Sequence, residues 1–245
     1  MGIKRWIAEK WAARRTRAIH REHKDPVASQ QRTLKRLVQK AAGTEFGQAH
    51  DFHKIHSPAD FAAKVPVRDY EAARDYFEAI RKGQANVAWP GKPLYLAKTS
   101  GTTSGAKYIP ITRDSIRQQI KAARDALFFY IVGTGNSAFL DGKMMFLSGS
   151  PEIDTNEFGM KIGRLSGIVN HFVPSYLTRN RVPSYETNCI EDWEEKVEKI
   201  LDETLDADMR LISGIPPWVQ MYFERLEART GKKPLEQWPN LQVFV

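Results

Sequence analysis

Residues 99–107 read Thr-Ser-Gly-Thr-Thr-Ser-Gly-Ala-Lys, and this stretch constrains the fold and chemistry of the chain more than any other. Apolar, strand-like runs flank it at residues 94–97 and 108–111. Glycines let a backbone approach a polyanion closely and turn successive N–H groups toward it. Hydroxyl groups donate short hydrogen bonds, and a lysine ammonium suits phosphate oxygens. The stretch therefore predicts a hairpin loop that binds the phosphates of a nucleotide.

Two common phosphate-binding motifs do not fit this stretch. A Walker A loop needs adjacent Gly-Lys followed by Ser or Thr, but here Ala106 separates Gly105 from Lys107, and Tyr108 follows. The dinucleotide fingerprint Gly-x-Gly-x-x-Gly is also absent. An ordinary Ser/Gly-rich turn with an incidental lysine is the structural alternative. Nine specified positions between two strand-like runs favour the phosphate loop.

The stretch resembles the phosphate-binding motif of the adenylate-forming superfamily, usually written Thr-Ser-Gly-Thr-Thr-Gly-x-Pro-Lys. Ser104, Gly105 and Ala106 stand at the glycine, variable and proline positions of that motif. This variant is more similar to the GH3 family of acyl acid–amido synthetases, whose plant members conjugate hormones such as auxin to amino acids. Residues 61–71, 80–83 and 109–112 also resemble segments of that family, and the similarity extends from about residue 44 to the end of the chain.

The resemblance implies a two-step ligation that uses ATP and Mg²⁺. A carboxylate attacks the α-phosphate to give an acyl-adenylate and pyrophosphate, and an amine or amino acid then displaces AMP. The partners would be a small-molecule carboxylic acid and an amine, with no nucleic acid expected. No catalytic residue is assigned. The resemblance implies that the nucleotide phosphates bind to Thr99, Ser100, Gly101, Thr102, Thr103, Ser104, Gly105 and Lys107.

The implied fold is α/β: N-terminal helices are followed by a partial mixed sheet with covering helices, as in the N-terminal part of an adenylate-forming domain. Helices are predicted over 3–23, 26–42 and 69–82, and Asp25-Pro26 and Ser57-Pro58 mark helix starts by their capping chemistry. Residues 152–189 are expected to be rich in loops, with short helices. Strand-like runs at residues 143–147 and 209–212, with helical patterns after them, agree with this class. The turns Ser148-Gly149 and Ser213-Gly214 follow these two runs. Ligands bind beyond the carboxyl ends of such strands, so both turns are predicted walls of an acyl pocket.

Residues 1–43 form a separate basic helical segment in this interpretation, and residues 44–245 form an incomplete adenylation domain. The first 40 residues hold twelve Lys/Arg and three Asp/Glu, an excess larger than the net charge of +8 for the whole chain. Ile3, Trp6, Ile7 and Trp11 recur at helical spacing. The segment is either an arm that binds nucleic acid or an anionic membrane, or a helix whose tryptophan stripe packs on the body. We favour packing, because no nucleic-acid motif accompanies the charge.

Two further family features are not found: an aromatic-Gly-x-Ser/Thr-Glu segment and a Gly-Asp pair for the ribose. The apolar run at residues 241–245 also ends without a turn or cap. We therefore expect an N-terminal fragment with weak activity or none. The alternatives are another adenylate-former, such as an acyl-CoA synthetase, or a non-catalytic basic module that binds nucleic acid or anionic membrane.

The composition bears on membrane spans, disulfides, cellular location and metal sites. No apolar run approaches the length of a membrane span. Cys189 is the single cysteine, so an intramolecular disulfide is excluded and a cytoplasmic location is expected. No metal site is assigned: three histidines at residues 50, 53 and 56 lack completing ligands, and the carboxylates at 152, 154 and 157 are interpreted as solvated.

Overall fold

The computed structural model describes residues 2–99, 106–173 and 179–245. Contacts divide the chain into two compact units. Unit 1 comprises Met1–Thr16, Ile120–Glu152 and Arg164–Val245, and unit 2 comprises Arg17–Gln119 and Ile153–Gly163. The predicted domain boundary between residues 43 and 44 stays a prediction.

The chain begins with two helices, α1 (Ile3–Glu22) and α2 (Pro26–Ala41). The side chain of Asp25 accepts a hydrogen bond from the N–H of Ala28 and so caps α2, while Pro26 occupies its first turn. These bounds confirm the two helices predicted from the sequence.

The predicted packing of the tryptophan stripe is confirmed only in part, at Trp11. Trp6 is 51% exposed and Trp11 is 45% exposed, although the Trp11 ring lies 5.4 Å from that of Phe128. The buried face of α1 is instead formed by Ala12, Thr16 and Ile19. Ala12, Thr16 and Ile19 share one helical face, which lies about 100° around the helix axis from Trp11. Ala12 and Thr16 are small, so the helix can approach its neighbours closely on that face.

Unit 2 contains a mixed sheet. Its strands are β1 (Tyr95–Lys98), β2 (Tyr108–Ile111), β4 (Ile153–Thr155) and β5 (Lys161–Gly163), in the order β2-β1-β5-β4. β1 pairs antiparallel with β2 and parallel with β5, and β5 pairs antiparallel with β4. Leu96 is fully buried against Ile80, Val87 and Met160. This core supports strand β1, which leads to Thr99.

The helices of unit 2 show the capping chemistry expected from the sequence. They include α3 (Glu45–Ala49), α4 (Pro58–Lys64) and α5 (Arg74–Arg81). Ser57 and Asp60 form a reciprocal capping box at the start of α4, with Pro58 in its first turn. The predicted helix over 69–82 is shorter at its start, where turns precede Arg74.

Unit 1 contains a second, wholly parallel sheet in the order β6-β3-β7-β8. Its strands are β3 (Lys143–Leu147), β6 (Arg181–Val182), β7 (Met209–Gly214) and β8 (Val243–Phe244). The other α-helices of the described residues are α6 (Arg113–Thr134), which begins in unit 2, and α7 (Leu165–Asn170), α8 (Tyr185–Cys189), α9 (Trp193–Thr204), α10 (Pro216–Thr230) and α11 (Pro234–Gln237). The predicted α/β class, with a mixed sheet and covering helices, is confirmed.

Candidate functional site

Thr99 and Lys107, the described ends of the phosphate-loop stretch, lie at the end of the β1–β2 ladder in unit 2. The β1–β2 ladder runs from the pair Tyr95–Ile111 to the pair Lys98–Tyr108. One more pair closes it: the N–H of Thr99 donates to the carbonyl of Lys107 at 3.0 Å, and the N–H of Lys107 donates to the hydroxyl of Thr99 at 3.3 Å. The two strands therefore hold the ends of the predicted loop together.

The Lys107 side chain is positioned by an aromatic pair. Its Nζ lies 5.3 Å from the centre of the Tyr70 ring, and Tyr70 stacks on Phe77 at 4.5 Å with 14° between the rings. The Tyr70 hydroxyl also accepts a hydrogen bond from the N–H of Tyr108 at 3.2 Å. Among the residues that the structure describes, no carboxylate pairs with Lys107. A half-buried ammonium without a counter-ion suits an incoming phosphate.

The predicted site residues divide into two groups. Ser100, Gly101, Thr102, Thr103, Ser104 and Gly105 lie outside the described residues, so their predicted role stays a prediction. Thr99 and Lys107 are brought together, but their backbone N–H groups are used in closing the hairpin. The Thr99 hydroxyl proton and the Lys107 ammonium are what this pair can offer to a ligand.

The predicted acyl-pocket turns lie at the carboxyl edge of the parallel sheet in unit 1. Ser148 and Gly149 line a cavity of about 160 Å³ that also contains Arg164 and Lys196. Ser213 and Gly214 end β7 opposite Phe146 and Leu147. A Cβ on Gly214 would lie 2.9 Å from the Cβ of Leu147, so this turn requires glycine for close packing. Their role in acyl binding stays a prediction.

Lys196 is a polar residue that the sequence reasoning missed. It is 4% exposed, and its Nζ donates to the carbonyls of Ser148 at 3.2 Å and Asn188 at 2.6 Å. Burial lowers the pKa of Lys196 below its ordinary value. The helical spacing could have predicted the burial of Lys196, because it falls three residues after Trp193 and four before Ile200, on the apolar face of α9.

Residues 2–99, 106–173 and 179–245 contain no group of three or more His, Cys, Asp or Glu placed to hold a metal ion. Within the same ranges, no helix has the length and apolar character needed to span a membrane.

Solved structures share this architecture. The GH3.15 acyl acid amido synthetase matches with a TM-score of 0.62 and 16% sequence identity, over 83% of this chain and 38% of that chain. The AtGH3.15 acyl acid amido synthetase in complex with 2,4-DB matches with a TM-score of 0.59 and 19% identity, over 82% of this chain and 37% of that chain. At these identities, the likeness shows the fold alone, which this chain shares with part of the GH3.15 structures.

The family follows from the sequence match. The model of the GH3 family N-terminal domain matches residues 15–172, which is more than half of the chain. The chain therefore belongs to the GH3 family.

Two curated relatives are similar over part of the chain. A jasmonoyl–L-amino acid synthetase of Nicotiana attenuata, JAR6, is 25% identical over 120 residues, covering 46% of this chain and 21% of the relative. The jasmonoyl–L-amino acid synthetase GH3.3 of Oryza sativa subsp. japonica is 26% identical over 113 residues, covering 45% and 24%. The match thus spans less than a quarter of either relative.

Proposed function

We propose that this GH3 chain acts in the ATP-dependent adenylation of a carboxylic acid, followed by amide formation with an amine or amino acid. Activity by the chain alone is expected to be weak. The observation that carries the proposal is the closed hairpin of unit 2, in which Lys107 stands at the end of the family's phosphate loop without a described carboxylate beside it. The relatives support the ligation class, since their names describe synthetases that join an acid to an amino acid.

In each of the two proposed steps, one bond forms as another breaks. A carboxylate oxygen forms a bond to the α-phosphorus of ATP as the bond to the pyrophosphate oxygen breaks, which leaves an acyl-adenylate. The amine nitrogen then forms a bond to the acyl carbon, AMP leaves with the former carboxylate oxygen, and the nitrogen loses a proton. In the first step, a protein mainly positions the reactants and neutralises charge.

The residues at the hairpin fit a triphosphate by their donor chemistry. The Lys107 ammonium would offset the charge that grows on pyrophosphate, and the Thr99 hydroxyl proton would donate to a phosphate oxygen. Mg²⁺, when bound with ATP, supplies further charge neutralisation. Loss of one donor to a charged transition state typically costs about 2.7–4 kcal/mol. Lys107 is accordingly the residue on which the adenylation step depends most among those described.

We also propose different roles for two parts of the chain. Residues 44–245 would supply part of the adenylation domain, with the loop from Thr99 to Lys107 on the nucleotide, and residues 1–43 would form a basic helical segment. A cytoplasmic location fits the soluble small-molecule substrates of such a reaction and the single cysteine.

The experiment that tests this function uses both the chain and a relative. In a full-length GH3 relative that has a lysine at the position of Lys107, that lysine is replaced by alanine, and acid-dependent ATP–pyrophosphate exchange is measured. We expect exchange to fall at least tenfold while the folded fraction is unchanged. Exchange at the unaltered rate would contradict the proposed role of this lysine. In the chain itself, acid-dependent formation of hydroxamate from ATP and hydroxylamine is expected to be slow, and vigorous turnover would contradict the weak activity proposed.

A second candidate function is favoured by one observation. Ile3 is 75% exposed and Ile7 is 51% exposed, beside the half-exposed rings of Trp6 and Trp11, on a helix without an acidic residue in its first turn. Exposed indoles and aliphatic side chains on a basic helix suit an anionic membrane surface. Vesicles of phosphatidylserine should then pull down the wild-type chain and release a Trp6→Ser/Trp11→Ser variant. Equal binding of the two proteins would contradict this candidate.

A further inference from the structure

An apolar cavity of about 410 Å³ lies in unit 1 between α1 and α6. Ile7 and Trp11 line it from α1, and Phe128 and Ile131 line it from α6. Met144 of β3 also contributes to its wall. The volume falls within the range of about 300–1,000 Å³ that is typical of ligand pockets. Walls of aliphatic and aromatic side chains favour a hydrocarbon group over a polar ligand.

The cavity connects the surface of α1 with the core of unit 1. Ile7 is 51% exposed and Trp11 is 45% exposed, whereas Phe128, Ile131 and Met144 are buried. The three buried residues belong to one core cluster with strands of the parallel sheet. A cavity that begins at exposed side chains and ends among core side chains suits a flexible chain that enters end-on. A partner helix instead needs an open groove along its length.

Two cations contribute to the lining of this cavity, Lys4 and Arg124. The Arg124 guanidinium lies 4.9 Å from the centre of the Trp11 ring, and its Nη2 makes one long contact of 3.4 Å with the Oδ1 of Asp125. That carboxylate is held mainly by Arg15, at 2.8 Å. Lys4 forms no ion pair with any carboxylate in residues 2–99, 106–173 and 179–245. The cavity therefore combines apolar walls with positive charge.

The carboxylates on the neighbouring elements are committed to other groups. Glu9 of α1 accepts a hydrogen bond from the hydroxyl of Ser137. Asp141 pairs with Arg5 at 3.3 Å. The first turn of α1, where Lys4 lies, contains no acidic residue. The positive charge at the cavity is thus left for an anion from outside the chain.

We propose that this cavity takes up one acyl chain of an anionic membrane phospholipid, with the lipid phosphate on Lys4. The apolar walls account for the chain, and a lysine ammonium suits phosphate oxygens as a compact point charge. Ile3 and Trp6 are exposed on the same helix and suit the surrounding membrane surface. The proposal rests on the second candidate function above, in which α1 contacts an anionic membrane, and it names the lipid group that unit 1 would bind there.

The test uses the whole ¹⁵N-labelled chain and decyl phosphate below its micelle concentration, without nucleotide. We expect a saturable shift of the Trp11 indole N–H signal and a smaller effect on the Trp6 indole, because Trp6 does not line the cavity. Hexyl phosphate should bind at least tenfold more weakly than decyl phosphate, since each buried methylene raises affinity about two- to fourfold. Equal affinities of the two would overturn the role of the apolar walls.

Two variants with matched controls test the two parts of the site. Ala8 lines the cavity, so Ala8→Phe should weaken decyl phosphate binding at least tenfold, while Ala18→Phe, on the same helix outside the cavity, should stay within twofold of wild type. Lys4→Gln should weaken decyl phosphate about two- to fivefold and leave the binding of neutral decyl maltoside unchanged. Lys10→Gln removes an exposed charge of the same helix outside the cavity and should leave both affinities unchanged.

Failure of this proposal and failure of the second candidate function give different results. No shift of Trp11, or equal shifts of Trp6 and Trp11, would overturn the cavity site, and the second candidate function would stand if phosphatidylserine vesicles still bind the chain. Vesicles that do not pull down a chain that binds decyl phosphate would overturn both the membrane source of the ligand and the second candidate function. Decanoate that binds more tightly than decyl phosphate would overturn the assignment to a phosphate. The wild-type shifts decide the matter even if a variant fails to fold.

Discussion

The ammonium group of Lys107 lies 5.3 Å from the centre of the Tyr70 ring, and this one ring also anchors the hairpin strand. Its hydroxyl accepts the backbone N–H of Tyr108, the residue that follows the lysine. Tyr70 thus positions both strand β2, through its hydroxyl, and the Lys107 ammonium group, through its ring. Tyr70 lies within the segment 61–71, whose resemblance to the GH3 family was noted from the sequence.

Substitutions at Tyr70 should separate these two roles. Tyr70→Phe keeps the ring and loses the hydrogen bond to Tyr108, so we expect ATP affinity within about twofold of wild type and a loss of stability of about 1 kcal/mol. Tyr70→Leu removes the ring as well, and the loss of a cation–π contact worth about 0.5–1 kcal/mol should weaken ATP binding roughly two- to fivefold more than Phe does. ATP titration and urea unfolding measure the two effects. Identical ATP affinities for the Phe and Leu variants would contradict the positioning role.

The ion pair between Arg15 and Asp125 should dominate the acid stability of unit 1. Arg15 donates to both carboxylate oxygens, with the closest contact at 2.8 Å, and the two side chains are 19% and 12% exposed. Burial raises the pKa of Asp125, but the hydrogen bonds and charge of Arg15 outweigh it and hold the pKa below its ordinary value of 3.8. Because the folded pKa is the lower one, the pair contributes full stability above about pH 5, and this is lost as the pH falls below about 4.

Asp125→Asn should therefore destabilise the protein by about 3 kcal/mol at pH 7, because it removes the negative charge that faces the largely buried guanidinium of Arg15. The difference from wild type should shrink as the pH falls below 4. The matched control is Asp202→Asn, which breaks an exposed pair with Arg229 and should cost less than about 1 kcal/mol. Urea unfolding at several pH values measures both, and a difference that does not depend on pH would count against the pair.

A buried aromatic pair stabilises the core of unit 1. The Tyr222 and Trp238 rings are stacked at 6.0 Å with 5° between them. Tyr222 shares a hydrogen bond of 2.6 Å with the hydroxyl of Thr204, whose carbonyl accepts the Trp238 indole N–H at 3.0 Å. Tyr222→Phe should cost about 1 kcal/mol through the lost hydrogen bond. Trp238→Ala should cost about 3–5 kcal/mol through the cavity it leaves. Thermal unfolding that ranks the two variants equally would show that this pair is not the core element described.

Close backbone packing at Gly167 holds α7 against the turn after β3. A Cβ at this position would lie 2.4 Å from the carbonyl oxygen of Ser150 and 2.9 Å from the Cα of Pro151. Gly167→Ala must displace α7, whose last residue is Asn170, so we expect a loss of about 1–3 kcal/mol. The matched control is Gly133→Ala, where nothing lies within 4 Å of the added atom. Equal unfolding midpoints for the two variants would contradict the packing at Gly167.

The sequence predicted long elements well because their signals are local. Asp25, Ser57 and Pro58 mark helix starts by capping chemistry, and the structure places helices there. The strand at residues 143–147 is confirmed with the predicted bounds. The short hairpin of β4 and β5 was missed, because strands of three residues show no alternation, and residues 152–189 were expected to be rich in loops with short helices.

The residues of the candidate site were predicted from their types, but the side chains that contact them from other parts of the chain could not be. The pairing of Thr99 with Lys107 follows from two strand-like runs around a loop. The placement of Tyr70 under Lys107 depends on tertiary packing across 37 positions of sequence, which no local pattern encodes. The exposure of Trp6 was mispredicted for the same reason, because helical spacing shows which residues share a face and does not show which face is buried.

The most direct test of the central claim is ATP affinity in a matched pair of lysine variants of the whole chain. Lys107 lies over Tyr70 at 5.3 Å, and Lys161 lies over Tyr95 at 5.7 Å in the same sheet, so the two ammonium groups have similar aromatic contacts but only one stands at the phosphate loop. We predict that Lys107→Ala weakens ATP binding at least tenfold, while Lys161→Ala stays within twofold of wild type. Equal affinities in the two variants, or no ATP binding by the wild-type chain, would contradict the account.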